Sequence, residues 1–266
     1  MTTPVRRTSD WMAVVRAEES AQPDAYYVDP CAEVFATEQA RKVVDAFKPF
    51  HPPSEIVPVR GRLGDQTLLS SRVRQAVSVG AGSDSRPYRL PLDPPFVYYE
   101  VDLPGQLSGK AEALAEAGFQ PRCRVVSVGT DLRSPPPAVA PGFDAIVATH
   151  WIVEGVLYYL TRAEADSVIG WITRQSAPGS WLTFDVPHPC FFTDPDRRPF
   201  LREMAARGVP FVGAVEDPVA WLAPHGWTAE AATHRDVAEG RCPWLPPLPP
   251  RLSARKQDIW LTRARR

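Results

Sequence analysis

A valine-rich run of only a few residues, AVSVGAG at 76–82, ends on a Gly-Ala-Gly turn, and it restricts the fold more than any other feature of the chain. Its shortness and β-branching make it a buried strand, not a stretch of helix. Gly80 and Gly82 carry no side chain, so the chain can turn sharply there and bring its backbone close to a ligand. The same unit then repeats. FVYYEVD (96–102), RCRVVSV (122–128), FDAIVAT (143–149) and GSWLTFDV (179–186) read as further strands, with helical stretches at 103–118 and 162–176 between them. Such alternation implies a parallel sheet with helices on both faces. Two more helices (198–208 and 217–226) and two more strands, WTAEAAT (227–233) and KQDIWLTRA (256–264), follow. Ahead of the first strand, residues 9–47 space their apolar residues three and four apart, as an N-terminal helical cap would, and a helix spans about 60–74. The expected class is α/β: a doubly wound, mostly parallel, seven-stranded sheet with an N-terminal helical cap.

Composition removes several kinds of function. Lys and Arg number 30 against 31 Asp and Glu, and a net charge of -1 makes no electrostatic case for a nucleic acid or an anionic membrane. A small-molecule substrate is the default. No stretch approaches the roughly 20 apolar residues of a membrane span, and no apolar run follows the arginines of MTTPVRRTSDW, so the chain reads as cytoplasmic. Cys31, Cys123, Cys190 and Cys242 lack the paired spacing of a zinc site, and no metal is expected. The proline-rich PWLPPLPP (243–250) reads as a loop joining the last two strands in preference to a polyproline ligand. Oligomeric state leaves no mark on the sequence.

In an open parallel sheet, ligands bind beyond the carboxyl ends of the strands. Gly80, Ala81 and Gly82 lie there. About 20 residues on, Glu100 and Asp102 close the second strand, where either acid can accept hydrogen bonds from ribose hydroxyls. A dinucleotide fingerprint needs a third glycine and a helix amino end facing pyrophosphate. Here the run continues Ser83-Asp84-Ser85 into the proline-rich RPYRLPLDPP, so a cofactor without pyrophosphate fits better than a nicotinamide dinucleotide. Asp131, in SVGTDL, ends the third strand, where a carboxylate can take an adenine amino group.

The residues VSVGAGSDSRPYRL, YYEVDLP, Lys110, GTDLR and ATHWIVEGVLYYL, in that order and spacing, closely resemble the leucine carboxyl methyltransferase family and its bacterial relatives, which often modify specialised metabolites such as polyketides and antibiotics. RAEESAQPDAYYVDPCAEVF (16–35) resembles that family's opening segment, so the resemblance runs from about Arg16 to about Leu182. It implies a Rossmann-like class I methyltransferase that uses S-adenosylmethionine. It also implies one domain over 1–266, with the cap at 1–59, the cofactor-binding core at 60–187 and substrate-shaping insertions at 188–266. By the resemblance, Gly80, Ala81 and Gly82 lie beneath the methionine part of the cofactor and Asp102 holds the ribose. Asp131 and Leu132 bind adenine, Glu154 lies near the methionine ammonium, and Arg60 and Arg16 meet the methionine carboxylate. Tyr159, with Tyr158 beside it, matches a tyrosine that faces the active site.

Methyl transfer from a sulfonium needs the acceptor aligned and water excluded. A carboxylate acceptor is already ionised, whereas a hydroxyl benefits from a base. His150 is the candidate base, expected to end the fourth strand beside the methyl position, with His188 as a second candidate. His225 and His234 read as loop or surface residues. Tyr26, Tyr27, Tyr159, Phe191, Phe192 and Trp244 are candidates for an apolar or aromatic acceptor pocket. The leading expectation is an O-methyltransferase acting on a small-molecule carboxylate or hydroxyl. Its rivals are a non-methylating use of the cofactor such as cyclisation, a nicotinamide-dependent oxidoreductase, and carboxyl methylation of a partner protein.

Overall fold

The structure, a computed structural model, describes residues 6–136, 138–255 and 257–266. The first five residues of the expected cap, and Lys256 of the expected last strand, lie outside the described residues. The cap holds α1 (Arg6–Ser20), the single turn α2 (Ala32–Phe35) and α3 (Glu38–Phe47). Thr37 starts α3 by accepting a hydrogen bond from the Ala40 amide. Next come α4 (Ile56–Ser71), β1 (Gln75–Val79), the single turn α5 (Arg86–Arg89), β2 (Val97–Asp102), α6 (Lys110–Glu116) and β3 (Arg124–Gly129). Then follow β4 (Thr149–Val153), α7 (Arg162–Arg174) and β5 (Trp181–Pro187). Thr161 and Glu164 form a capping box that fixes where α7 begins. The last part contains the short α8 (Cys190–Thr193), then α9 (Arg198–Ala206), α10 (Pro218–Leu222), β6 (Thr228–Thr233), α11 (His234–Ala238), α12 (Pro250–Ser253) and β7 (Ile259–Arg265).

The seven strands form one sheet in the order β3-β2-β1-β4-β5-β7-β6. The first five are parallel, whereas β7 runs antiparallel to both β5 and β6. Strand alternation divides the core. Val77, Val79, Trp151 and Val153 face one layer and pack with Val168, Ile169 and Ile172 of α7. Ala76, Tyr98 and Ile152 face the other, against Leu68 of α4. The cap joins this second side, where Trp11 and Val14 pack with Ile56, Val59 and Leu63 and with Ile259 and Leu261 of β7. No helix among the described residues is long and apolar enough to cross a membrane.

The fourth strand departs from expectation. It starts at Thr149, where FDAIVAT was to end, and runs through THWIV. The reason is local: the Asp144 carboxylate accepts from the Ile146 amide, its carbonyl accepts from Val147, and Ile146 is left 86% exposed. An aspartate that bonds its own downstream backbone makes a turn out of an apolar run. PWLPPLPP does lie between β6 and β7, flanked by α11 and α12, with Leu245 buried against the cap core.

Candidate active site

A cavity of about 460 Å³ lies at the carboxyl ends of β1 to β4, closed over by α1 and α4. The turn after β1 forms its floor. Gly80 sits at φ +72°, and a Cβ there would come within 2.4 Å of Val156 Cγ2, so glycine is what lets the β1 and β4 turns approach each other. The Gly82 amide donates to Asp102 Oδ2 at 2.7 Å and the Leu103 amide to Oδ1 at 2.7 Å. These bonds fix the Asp102 carboxylate at the rim. Of the residues expected at a cofactor, Arg16, Arg60, Gly80, Ala81, Gly82, Asp102, Asp131, Leu132 and Glu154 all line this one cavity. Tyr159 lines it too.

Glu100 does not. It is two residues short of the strand end, roughly 7 Å deeper in the sheet, and its buried carboxylate accepts from Lys110 Nζ at 2.7 Å. His150 is also absent from the wall. Because β4 begins at Thr149, His150 starts the strand instead of ending it. It is fully buried with Nε2 3.0 Å from Thr183 Oγ1, and burial, aided by the Arg86 cation, pushes its pKa down to about 3. A neutral imidazole sealed in the sheet is a core residue, and the expectation of a base there fails on geometry. His188 accepts from the Cys190 amide and packs edge-on to Trp260, away from the cavity. His234, expected at the surface, is fully buried.

Beneath the cavity is an ionic network that the sequence reading did not foresee. Arg86 bonds Asp65 at 2.8 Å, Asp84 at 3.0 Å and Glu154 at 2.6 Å. Arg16 bonds both oxygens of Ser83 and faces Asp29 at 3.4 Å. Arg60 Nη1 donates to Asp185 Oδ2 at 2.8 Å, and Asp185 also accepts from the Gly155 amide and the Tyr158 hydroxyl. Burial raises the Asp84 carboxyl, but Arg86, Lys110 and the Tyr98 hydroxyl outweigh it and hold the pKa well below the carboxylate range. Glu154 goes the other way. Burial exceeds the pull of Arg86 and Arg60, and its pKa is pushed up to about 7. The Tyr158 pKa rises far above the usual phenol value through burial and the Asp185 charge, so that hydroxyl donates to Asp185 and is no base.

The aromatic wall is also differently composed. Tyr26, Tyr27, Phe191, Phe192 and Trp244 lie outside it, whereas Trp11, Tyr158, Phe200 and Phe211 join Tyr159 in it. Tyr26 is spent on the Pro246 carbonyl and Tyr27 on Arg89.

Residues 10–173 match the family model for leucine carboxyl methyltransferases. The chain belongs to the leucine carboxyl methyltransferase family. Among curated proteins in the same group, a candidate S-adenosyl-L-methionine-dependent methyltransferase of Streptomyces coelicolor is 33% identical over 88% of this chain and 87% of its own length. A second, from Streptomyces avermitilis, is 32% identical over 90% and 89%. Two crystal structures share the fold: a DUF574 family protein from Streptomyces avermitilis (TM-score 0.63, 15% identity, 96% of each chain) and a candidate methyltransferase from Thermobifida fusca (TM-score 0.62, 18% identity, 96% and 94%). Like the rest of this family, the protein is an S-adenosylmethionine-dependent methyltransferase. The donor set suits that cofactor: acids at the ends of β2 and β3, cations from α1 and α4, and a glycine turn without a phosphate-binding helix behind it, α5 being a single turn.

Proposed function

We propose that this methyltransferase acts on an oxygen of a small-molecule acceptor in specialised metabolism, and that the acceptor oxygen is already ionised near neutral pH. One observation carries this reading: the cavity that gathers the cofactor residues is also lined by Trp11, Tyr158, Tyr159, Phe200 and Phe211, and no histidine lines it. S-adenosylmethionine, when bound, supplies an electrophilic methyl group. The protein's own residues do the rest. Asp102 would accept hydrogen bonds from the ribose, and Asp131 and the Leu132 backbone would hold the adenine. Arg60 and Arg16 would hold the methionine carboxylate, and Glu154 its ammonium. Trp11, Met12, Ile56 and Val57 exclude water from the path of transfer, which strengthens every charge interaction within.

Deprotonation is where the wall is poorest. Tyr158 is tied to Asp185, Asp84 is held ionised as a weak base, and Glu154, whose pKa of about 7 would suit a base, has its Oε1 bonded to Arg86 and would hold the methionine ammonium. A carboxylate or an acidic phenol needs no base, whereas an ordinary alcohol does. The test is transfer of a labelled methyl group to panels of carboxylic acids, phenols and aliphatic alcohols. Label should appear in the first two panels, released by alkali from esters and stable in ethers. Binding of the cofactor without transfer to any panel would turn the reading toward a non-methylating reaction.

A further inference from the structure

The reactive cavity has one wall that no cofactor role explains. Phe211 and Tyr159 stand there at right angles, 84° between planes with centroids 5.2 Å apart, and both remain partly accessible. Two further rings of the same wall support them. Phe200, fully buried, backs Phe211 edge-on at 5.5 Å, and Trp11 backs Phe200 at 6.1 Å.

The corner is held by main chain. The amides of Val212 and Gly213 both donate to the Tyr158 carbonyl, at 2.8 and 3.0 Å. Gly213 admits no side chain at all, because a Cβ would lie 1.8 Å from the Leu157 carbonyl oxygen. The residues flanking Phe211 and Tyr159 in sequence are therefore tied directly to each other, and neither ring can swing away with its loop. Phe211 also belongs to the part of the chain beyond the family match at 10–173.

We propose that Phe211 and Tyr159 form the acceptor subsite and that it takes a flat aromatic ring carrying the ionised oxygen. The partly accessible rings of this fixed pair can meet a third ring in the offset or edge-to-face contacts that aromatic rings prefer. A saturated ring of the same size gains only its buried area. This inference rests on the methyl-transfer reading above and adds the class of acceptor to it.

The experiment is calorimetric titration of the protein, alone and saturated with S-adenosylhomocysteine, with 1-hydroxy-2-naphthoate, the fully saturated decahydro-2-naphthoate and a hexapeptide ending in leucine. The naphthoate should bind about tenfold more tightly than the saturated acid. Phe211→Leu should remove about that tenfold advantage, Phe211→Tyr should restore it, and neither should change the affinity for S-adenosylhomocysteine, which also reports that the variants are folded. Equal affinity for the two acids, naphthoate binding indifferent to Phe211→Leu, no naphthoate binding, or displacement of naphthoate by the peptide would each overturn the proposal. Failure of S-adenosylhomocysteine to bind the wild-type protein would strike instead at the methyl-transfer reading.

Discussion

Arg60 and Asp185 meet 2.8 Å apart, the carboxylate fully buried and the guanidinium nearly so, with Gly155 and Tyr158 filling the remaining acceptor sites of the acid. A cation sealed in this way cannot tolerate the loss of its partner. Asp185→Asn should lower unfolding stability by about 3–5 kcal/mol, the usual cost of leaving one buried charge uncompensated. Adding Arg60→Met to a matching Asp185→Leu change should recover most of that stability while S-adenosylhomocysteine binding stays lost. Urea unfolding and calorimetry on the single and paired variants separate the two effects, and a paired variant that still binds would remove Arg60 from the cofactor site. Asp185 lies two residues short of the end of β5, so the strand-end rule that singled out Asp102 did not reach it. Nothing in the run GSWLTFDV marks it as the partner of an arginine 125 positions earlier.

At the scale of elements, the turn after β1 was legible because its requirements are local. A strand of valines, a left-handed Gly80 and an acid one strand later are set by backbone sterics and period-two alternation, both written in contiguous residues. Gly80→Ala should therefore be severe: about 1–2 kcal/mol of left-handed strain, added to the 2.4 Å clash with Val156. We expect it to abolish measurable S-adenosylhomocysteine binding in calorimetry while leaving the far-ultraviolet circular dichroism spectrum close to wild type. The fourth strand was misread because an Asp144 turn inside an apolar run decides its start, and the placement of His150 failed with it. Arg86 was passed over for a different reason. It sits in RPYRLPLDPP, where prolines signal loop, and its four side-chain bonds join it to Gly61 and Asp65 of α4, to Asp84 and to Glu154 beyond β4. The aromatic wall was only partly legible, since choosing Phe211 over Phe192 depends on how a long connection returns over the sheet.

For the molecule as a whole, the buried histidines set the response to acid. His150 and His234 are both fully buried and neutral, and burial holds their pKa values down to about 3 and about 4. The unfolded chain takes up protons near pH 6.5 while the folded chain refuses them. Each histidine should therefore lower stability as the pH drops from about 6.5 toward 4, whereas Glu154, raised to about 7 in the folded chain, takes up its proton there first and offsets part of that loss. Denaturant midpoints measured from pH 7 to pH 4 should show this slope, and the double change His150→Gln with His234→Gln should flatten it. An unchanged slope would assign acid sensitivity to the carboxylates instead. The order of the sheet has a consequence for how the chain is made. β7 lies between β5 and β6, so as the polypeptide leaves the ribosome β6 emerges before either strand has the neighbour that will separate them. Until residues 259–265 are out, β5 keeps an open hydrogen-bonding edge and β6 has no strand to pair with. Vectorial synthesis thus leaves a nascent chain with an exposed edge, the kind of surface that chaperones shield, closed only when β7 slides in between.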